Sequence, residues 1–283
     1  MIFLPGEMRT EKSWPSILRG CVQMLAVGIF CMTGGHISGQ SMEAGLYGGG
    51  MYYLGDLNPG KQFMNYNIAY GILARYNIND RWAVKLSAYR GNVKGNSTQS
   101  KFLPERDLSF SSPVTDISAV AEFNFFDFYV GSRKNWISPY IYAGFSFFLF
   151  NPQNGGVSLQ TIGTEGQNVG YQGRTPYKTY SFGIPFGLGV KISLARRLGL
   201  AVFWEMHKTF TDYLDDVSTT YYMVGSTINK DDPSRLLSDP TRSYDPGMER
   251  GNPRNNDWYS FSGITLTYKF NLVSRKRCRD LEH

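Results

Sequence analysis

Glu205 and His207 stand two residues apart, a spacing that puts both side chains on one face of an extended strand. An imidazole beside a carboxylate is the base and orienter of a nucleophilic triad. No serine stands in an evident nucleophile setting, so the expected role of His207 is that of a hydrogen-bonded wall residue. A second candidate is the run Thr209 to Tyr221, where Asp212, Asp215 and Asp216 cluster. Oxygen-rich clusters hold calcium, but this spacing is not that of an EF-hand loop and no glycine sits within it. Carboxylates that accept backbone N–H groups at the base of a loop are the expected reading, with calcium left open. Gly48-Gly49-Gly50 and the glycines from Gly183 to Gly189 are not phosphate loops, because no helix follows either. No catalytic, cofactor or metal residue is assigned.

Six charges share the polar faces of alternating segments: Arg75, Lys85, Glu122, Lys191, Glu205 and Lys269. The clearest such segment is Tyr180 to Leu194. Its even positions are all large and apolar. Its odd positions run Ser181, Gly183, Pro185, Gly187, Gly189, Lys191 and Ser193. A period of two means a strand with two unlike faces. In a small membrane barrel the large apolar face meets lipid and the other face lines the interior. Charges inside a narrow barrel must pair, since an isolated ion out of water costs several kcal/mol. Eight strands enclose only enough room for side chains, so a salt-bridged plug is expected rather than a pore.

The same pattern recurs. Ile68, Tyr70 and Ile72 oppose Ala69, Leu73 and Arg75. Trp82, Val84 and Leu86 oppose Lys85, Ser87 and Tyr89. Ile117, Ala119 and Phe123 oppose Asp116, Ser118, Val120 and Glu122. Leu200, Val202, Trp204 and Met206 oppose Ala201, Phe203, Glu205 and His207, and Ile264, Leu266, Tyr268 and Phe270 oppose Thr265, Thr267 and Lys269. Glu43 to Leu54 is a glycine-rich, weaker strand, and Pro139 to Phe150 is apolar on both faces, which leaves its facing open. Pro185 is expected to need a bulge. Tight turns at Asn77 to Asp80 and Ala195 to Leu198, and a moderate one at Asp127 to Ser138, alternate with long loops over 55–63, 91–112, 151–179 and 208–257. The expected fold is therefore all-β: an eight-stranded antiparallel transmembrane β-barrel with long extracellular loops and short periplasmic turns, both ends of the mature chain facing the periplasm.

Composition agrees. Aromatics are 15% of the 283 residues and Gly numbers 31, which suits strands with one apolar face better than a helical core. Arg9, Lys12 and Arg19 flank an apolar run from Cys21 to Met32, followed by small and polar residues. The expected reading is a secretory signal over 1–39, with the barrel over 40–270 and a basic periplasmic tail over 271–283. Cys278 then stands alone, which excludes a disulfide framework. The formal charge of +6 becomes +5 without 1–39, which carry three bases and two acids. No basic helix or aromatic motif accompanies that excess, so no nucleic acid is expected.

Several short motifs carry a resemblance. Tyr53-Leu-Gly-Asp-Leu-Asn-Pro59, Arg81-Trp-Ala83, Gly163-Thr-Glu-Gly-Gln167, Ile184-Pro-Phe-Gly-Leu-Gly-Val-Lys191 and Asp212-Tyr-Leu-Asp-Asp-Val-Ser218 resemble the PorG-type outer-membrane barrel of the Bacteroidota type IX secretion system. The ordered set runs from about residue 43 to 270. The resemblance implies a non-enzymatic subunit in outer-membrane lipid, associated with a periplasmic ring built from a lipoprotein and its partner protein. Arg133, Lys134, Arg275, Lys276, Arg277 and Arg279 are the candidate periplasmic contacts. The competing readings are a small outer-membrane pore or ligand-binding barrel, and a membrane-embedded hydrolase.

Overall fold

A computed structural model describes residues 41–101, 103–229 and 232–271. The proposed signal, its cleavage point and nearly all of the basic tail, including Arg275, Lys276, Arg277 and Arg279, lie outside the described residues. Eight long strands make one antiparallel sheet: β1 (Ser41–Leu54), β2 (Asn67–Asn77), β3 (Trp82–Asn96), β4 (Ser109–Asn124), β5 (Ile137–Phe150), β8 (Tyr180–Ser193), β9 (Leu198–Thr209) and β10 (Trp258–Asn271). Two short strands, β6 (Gln153–Asn154) and β7 (Val157–Ser158), form a small hairpin on β4. The order β3-β2-β1-β10-β9-β8-β5-β4 closes on itself because β3 also pairs with β4. No described helix is long and apolar enough to cross a membrane, which says nothing of a barrel.

Side-chain facing follows the two-residue period. Ile68, Phe182, Phe186, Leu188 and Tyr268 point outward and are exposed, while Arg75, Lys85, Glu122, Lys191, Glu205 and Lys269 are buried within. The open question of β5 is settled by its pairing. Ser138, Tyr140, Tyr142, Ser146 and Phe148 face inward, and Ile141 and Phe145 face outward. The interior is less polar than expected. Tyr47, Tyr89, Phe203 and Phe261 pack ring against ring in its middle.

Three expectations are corrected. First, β3 and β4 stay paired to Asn96 and Ser109, so the loop expected over 91–112 shrinks to about a dozen residues. The outward positions there, Asn92, Lys94, Ser111 and Pro113, are polar or turn-prone, and that hid the strand. Second, Pro185 needs no bulge. The β8–β9 register runs unbroken through Pro185↔His207, and only the ladder to β5 lapses, between the pairs Ala143↔Phe186 and Ser146↔Gly183. Third, Met206 sits on the outward face but is buried. The loop after β1 folds down over that wall. Tyr52 lies against Phe63 at 4.9 Å and accepts a hydrogen bond from Trp204 Nε1 at 2.9 Å, with its hydroxyl 3.7 Å from Met206 Sδ. Tyr66 donates to the Ser262 carbonyl at 2.8 Å.

Candidate functional site

The lumen holds two charge clusters. Toward the turn end, Arg75 on β2 is held between two acids: its Nε lies 2.7 Å from Glu122 Oε2 and its Nη1 2.8 Å from Glu43 Oε2. Lys191 from β8 reaches the same Glu122 oxygen at 2.7 Å and donates to Asn124 Oδ1 at 2.9 Å. Glu43 also accepts from Asn77 Nδ2 at 2.7 Å and from the Thr267 hydroxyl at 2.8 Å. The cluster thus ties β1, β2, β4, β8 and β10 together. Charge-assisted bonds of this kind are what make buried ions tolerable. Lys269 has a different role. It donates to the Val130 carbonyl at 2.6 Å and lies over the Tyr129 ring at 3.3 Å, which holds the 125–136 turn against the barrel mouth.

The second cluster lies beyond it. Lys85 sits 3.3 Å from Glu205 Oε2 and 4.4 Å over the Tyr142 ring. Glu205 Oε1 is 2.8 Å from His207 Nε2. On the other side of the ring, Nδ1 faces Ser146 Oγ at 3.3 Å and Asp116 Oδ2 at 3.5 Å. Tyr259 donates to Asp116 at 2.7 Å and stacks on the imidazole with centroids 4.4 Å apart. Ser146, His207 and Glu205 therefore fall in the order of nucleophile, base and orienter. Asp116 competes with Ser146 for Nδ1, and all of these side chains are buried. A carbonyl substrate has no approach to Ser146 while the lumen stays packed.

Above the barrel, the loops form a third, largely acidic layer. Tyr53 places its hydroxyl between Asp215 and Asp257, 3.1 Å from the latter. Both aspartates also accept backbone N–H groups, from Val217 and Leu214, each at 2.9 Å. Asp216 accepts from Thr164 and from the Tyr177 hydroxyl at 2.6 Å. Arg250, fully enclosed, lies 3.2 Å from Glu165 and 3.6 Å from Asp216. Glu165 accepts the Ser218 and Thr219 amides at 2.9 and 3.0 Å. Asp212 is 7% exposed and neither of its carboxylate oxygens has a hydrogen-bond partner.

Burial drives the acids here upward. Asp212 is pushed up to about 8 and Asp216, despite Arg250, to about 6. Burial and neighbouring aspartates hold Asp215 and Asp257 well above the usual carboxylate range. Among the described residues no three His, Cys, Asp or Glu side chains converge as a metal shell. Asp215 and Asp216 instead organise the loop through backbone and hydroxyl donors.

The alternation marks six charges for the interior, but five residues that complete the lumen and loop networks are not marked by it. Glu43 hides in the glycine-rich first strand, although its two-residue offset from Gly45 and Tyr47 marks the inner face. Asp116 shares the polar face of β4 with Ser118 and Glu122 and nothing singles it out, and Ser146 lies on β5, whose faces are both largely apolar. Arg250 and Glu165 belong to loops that have no period. Arg133 and Lys134 are exposed on the 125–136 turn and have no ion-pair partner among the described residues.

An exposed apolar outer wall, an ion-packed interior and a ring closed by its own strand pairing define an outer-membrane-type eight-stranded β-barrel. The chain belongs to the family described as a domain of unknown function, DUF6089, whose model matches residues 22–232. No curated protein sequence matches it. Among solved structures, it is similar to the outer membrane protein OprG from Pseudomonas aeruginosa, with 15% identity over 83% of this chain and 98% of that one and a TM-score of 0.41. Neisserial surface protein A matches at 13% identity over 82% and 98%, with a TM-score of 0.40. The N-terminal barrel domain of Pseudomonas aeruginosa OprF matches at 12% over 82% and 98%, with a TM-score of 0.37.

Proposed function

We propose that this barrel resides in the outer membrane as a non-enzymatic subunit of PorG-type, serving the type IX protein secretion machinery as an accessory or anchor for its periplasmic ring. The observation that carries this reading is the blocked lumen. Arg75, Glu122, Lys191, Lys85 and Glu205 are all buried and paired across the barrel. A barrel packed in this way offers no conduit, so its work falls to its surfaces. The motifs from Tyr53 to Ser218 that resemble the secretion family supply the partner. With the short turns in the periplasm, Arg133 and Lys134 face the ring and the long loops face outward.

The test is capture of the ring by tagged barrel at matched membrane levels. Charge reversal at Arg133 and Lys134 is expected to weaken capture, while Arg254→Glu on the exposed loop side is not. The effect is modest, about 1 kcal/mol or less per exposed charge. Loss of capture with Arg254→Glu alone contradicts the orientation.

The Ser146–His207 contact gives the hydrolase reading one specific observation. Turnover of a lipid ester that disappears in Ser146→Ala and in His207→Ala, with the barrel still folded, decides for it. Burial of both residues speaks against it.

A further inference from the structure

We infer that the outer wall of β1–β4 carries a binding site for a phosphate-bearing lipid, with an acyl chain in a trough over Ala74 and Ala88 and the phosphate on Arg90. The inference rests on the membrane-spanning reading of the barrel.

The wall around the barrel is uneven. On β5, β8 and β9 the outward positions are filled by Phe145, Phe182, Leu188 and Trp204. On β1–β4 small residues interrupt the large ones. Ala44 pairs with Ala74, and Leu46, Ile72, Ala88 and Ile117 form the next row. The result is a shallow, open groove of about 660 Å³ floored by Ala44, Ala74 and Ala88 and edged by Leu46, Ile72, Leu86 and Ile117. A second groove of about 460 Å³ continues it toward the loop end and shares Leu46, Ile72 and Ala88. That second groove ends at Tyr70, Arg90 and Thr115.

Arg90 marks a change of character. Outward residues on β3 go from Leu86 and Ala88 to Arg90, Asn92 and Lys94, and those on β4 from Ile117 to Thr115, Pro113 and Ser111. On β3 and β4 the apolar belt stops there, although Ile68 on β2 and Leu149 on β5 stay apolar and exposed beside it, so Arg90 stands at the polar edge of the wall while the trough lies at acyl depth. Its guanidinium is exposed and makes no ion pair or hydrogen bond among the described residues. The outward cations of the far wall are engaged differently: Lys178 and Lys208 lie over the Tyr180 and Trp258 rings at 5.5 and 5.7 Å. A planar, always charged guanidinium suits a phosphate in a bidentate contact. Charge complementarity above an apolar trough selects an anionic lipid over an apolar helix, which has nothing to offer Arg90.

The experiment is native mass spectrometry of the full detergent-folded barrel with dioleoyl phosphatidic acid and dioleoylglycerol at equal concentration. The expected result is one retained phosphatidic acid, preferred about fivefold over the neutral lipid. Arg90→Gln should abolish the preference, and Lys208→Gln should keep it. Ala88→Phe, which fills the trough and leaves the charge, should lower retention of both lipids. An unchanged preference in Arg90→Gln, unchanged retention in Ala88→Phe, or occupation of the wall by a second copy of the barrel overturns the site. Insertion into dioleoyl phosphatidylcholine vesicles is followed in parallel by heat-modifiable gel migration. A barrel that inserts but shows no phosphate preference loses the groove and keeps the membrane reading. A barrel that does not insert loses both.

Discussion

Arg75 and Glu122 meet at 2.7 Å although they stand on β2 and β4, with β3 between them. The contact therefore spans the interior and does not run along a strand pair. Arg75 also serves Glu43, and Glu122 also serves Lys191. Removing Arg75 takes a cation from two acids at once, leaving Glu122 with Lys191 and Glu43 with neutral donors only, whereas removing Glu43 leaves Arg75 paired with Glu122.

This asymmetry orders the mutants. Arg75→Met is expected to destabilise the folded barrel by about 3–5 kcal/mol, as for the loss of one member of a buried pair. Glu43→Gln, which retains a hydrogen-bonding group for Asn77 and Thr267, should cost less. Urea unfolding in detergent, read by tryptophan fluorescence, measures both. Equal midpoints for the two variants would show that the network is not centred on Arg75.

The acidic layer over the barrel predicts a pH trend with a definite sign. Asp212, Asp215, Asp216 and Asp257 hold protons in the folded state more tightly than free carboxylates do. Above the free value, about 3.9 for Asp, the opened loop releases protons that the closed loop keeps. The contribution of these groups to loop stability is therefore complete below that pH and is lost as pH rises toward the folded values, near 8 for Asp212. Amide exchange in 208–257, corrected for intrinsic rates, should quicken between pH 5 and pH 8, on the order of the window those values set. Asp212→Asn should flatten that slope, and an unchanged slope removes Asp212 as its source.

Leu188 is 55% exposed on the outer wall between Phe186 and Val190. An arginine there is expected to cost about 2–4 kcal/mol at mid-bilayer depth. Refolding into phosphatidylcholine vesicles measures it. Wild-type stability of Leu188→Arg argues that this wall does not meet lipid.

The packed lumen predicts electrical silence. Purified barrel in a planar bilayer should give no steady open-channel current, because Arg75, Lys85, Lys191 and their acids block the path. Sustained conductance of the wild-type protein refutes the plug and favours the pore reading.

Facing was legible in the sequence wherever the alternation was clean. From Tyr180 to Leu194 a one-residue slip would turn Phe186 inward and Lys191 outward, so only one facing is tolerable. Along β5 large apolar residues occupy both faces, because the interior there is lined by Tyr140, Tyr142 and Phe148. Its facing emerges only from pairing with β4 and β8. The partners inside the lumen were not legible for a geometric reason. Which charges share a level depends on tilt and register around a closed sheet, and a strand pattern gives neither. The loop layer was least legible: Arg250 reaches Glu165 across 85 residues of sequence.

The seam between β1 and β10 joins the two ends of the described chain, from Ser41↔Asn271 to Leu54↔Trp258. Every other barrel pair joins neighbours in the order of synthesis. This one closes the longest chain separation among the described residues, so its closure costs the most loop entropy and is expected last. Until then Glu43 and Lys269 remain wet, and the edges of both strands are open templates for other chains. Ring closure is thus also the dehydration step for these ions, and the barrel becomes rigid in the same event that makes it complete.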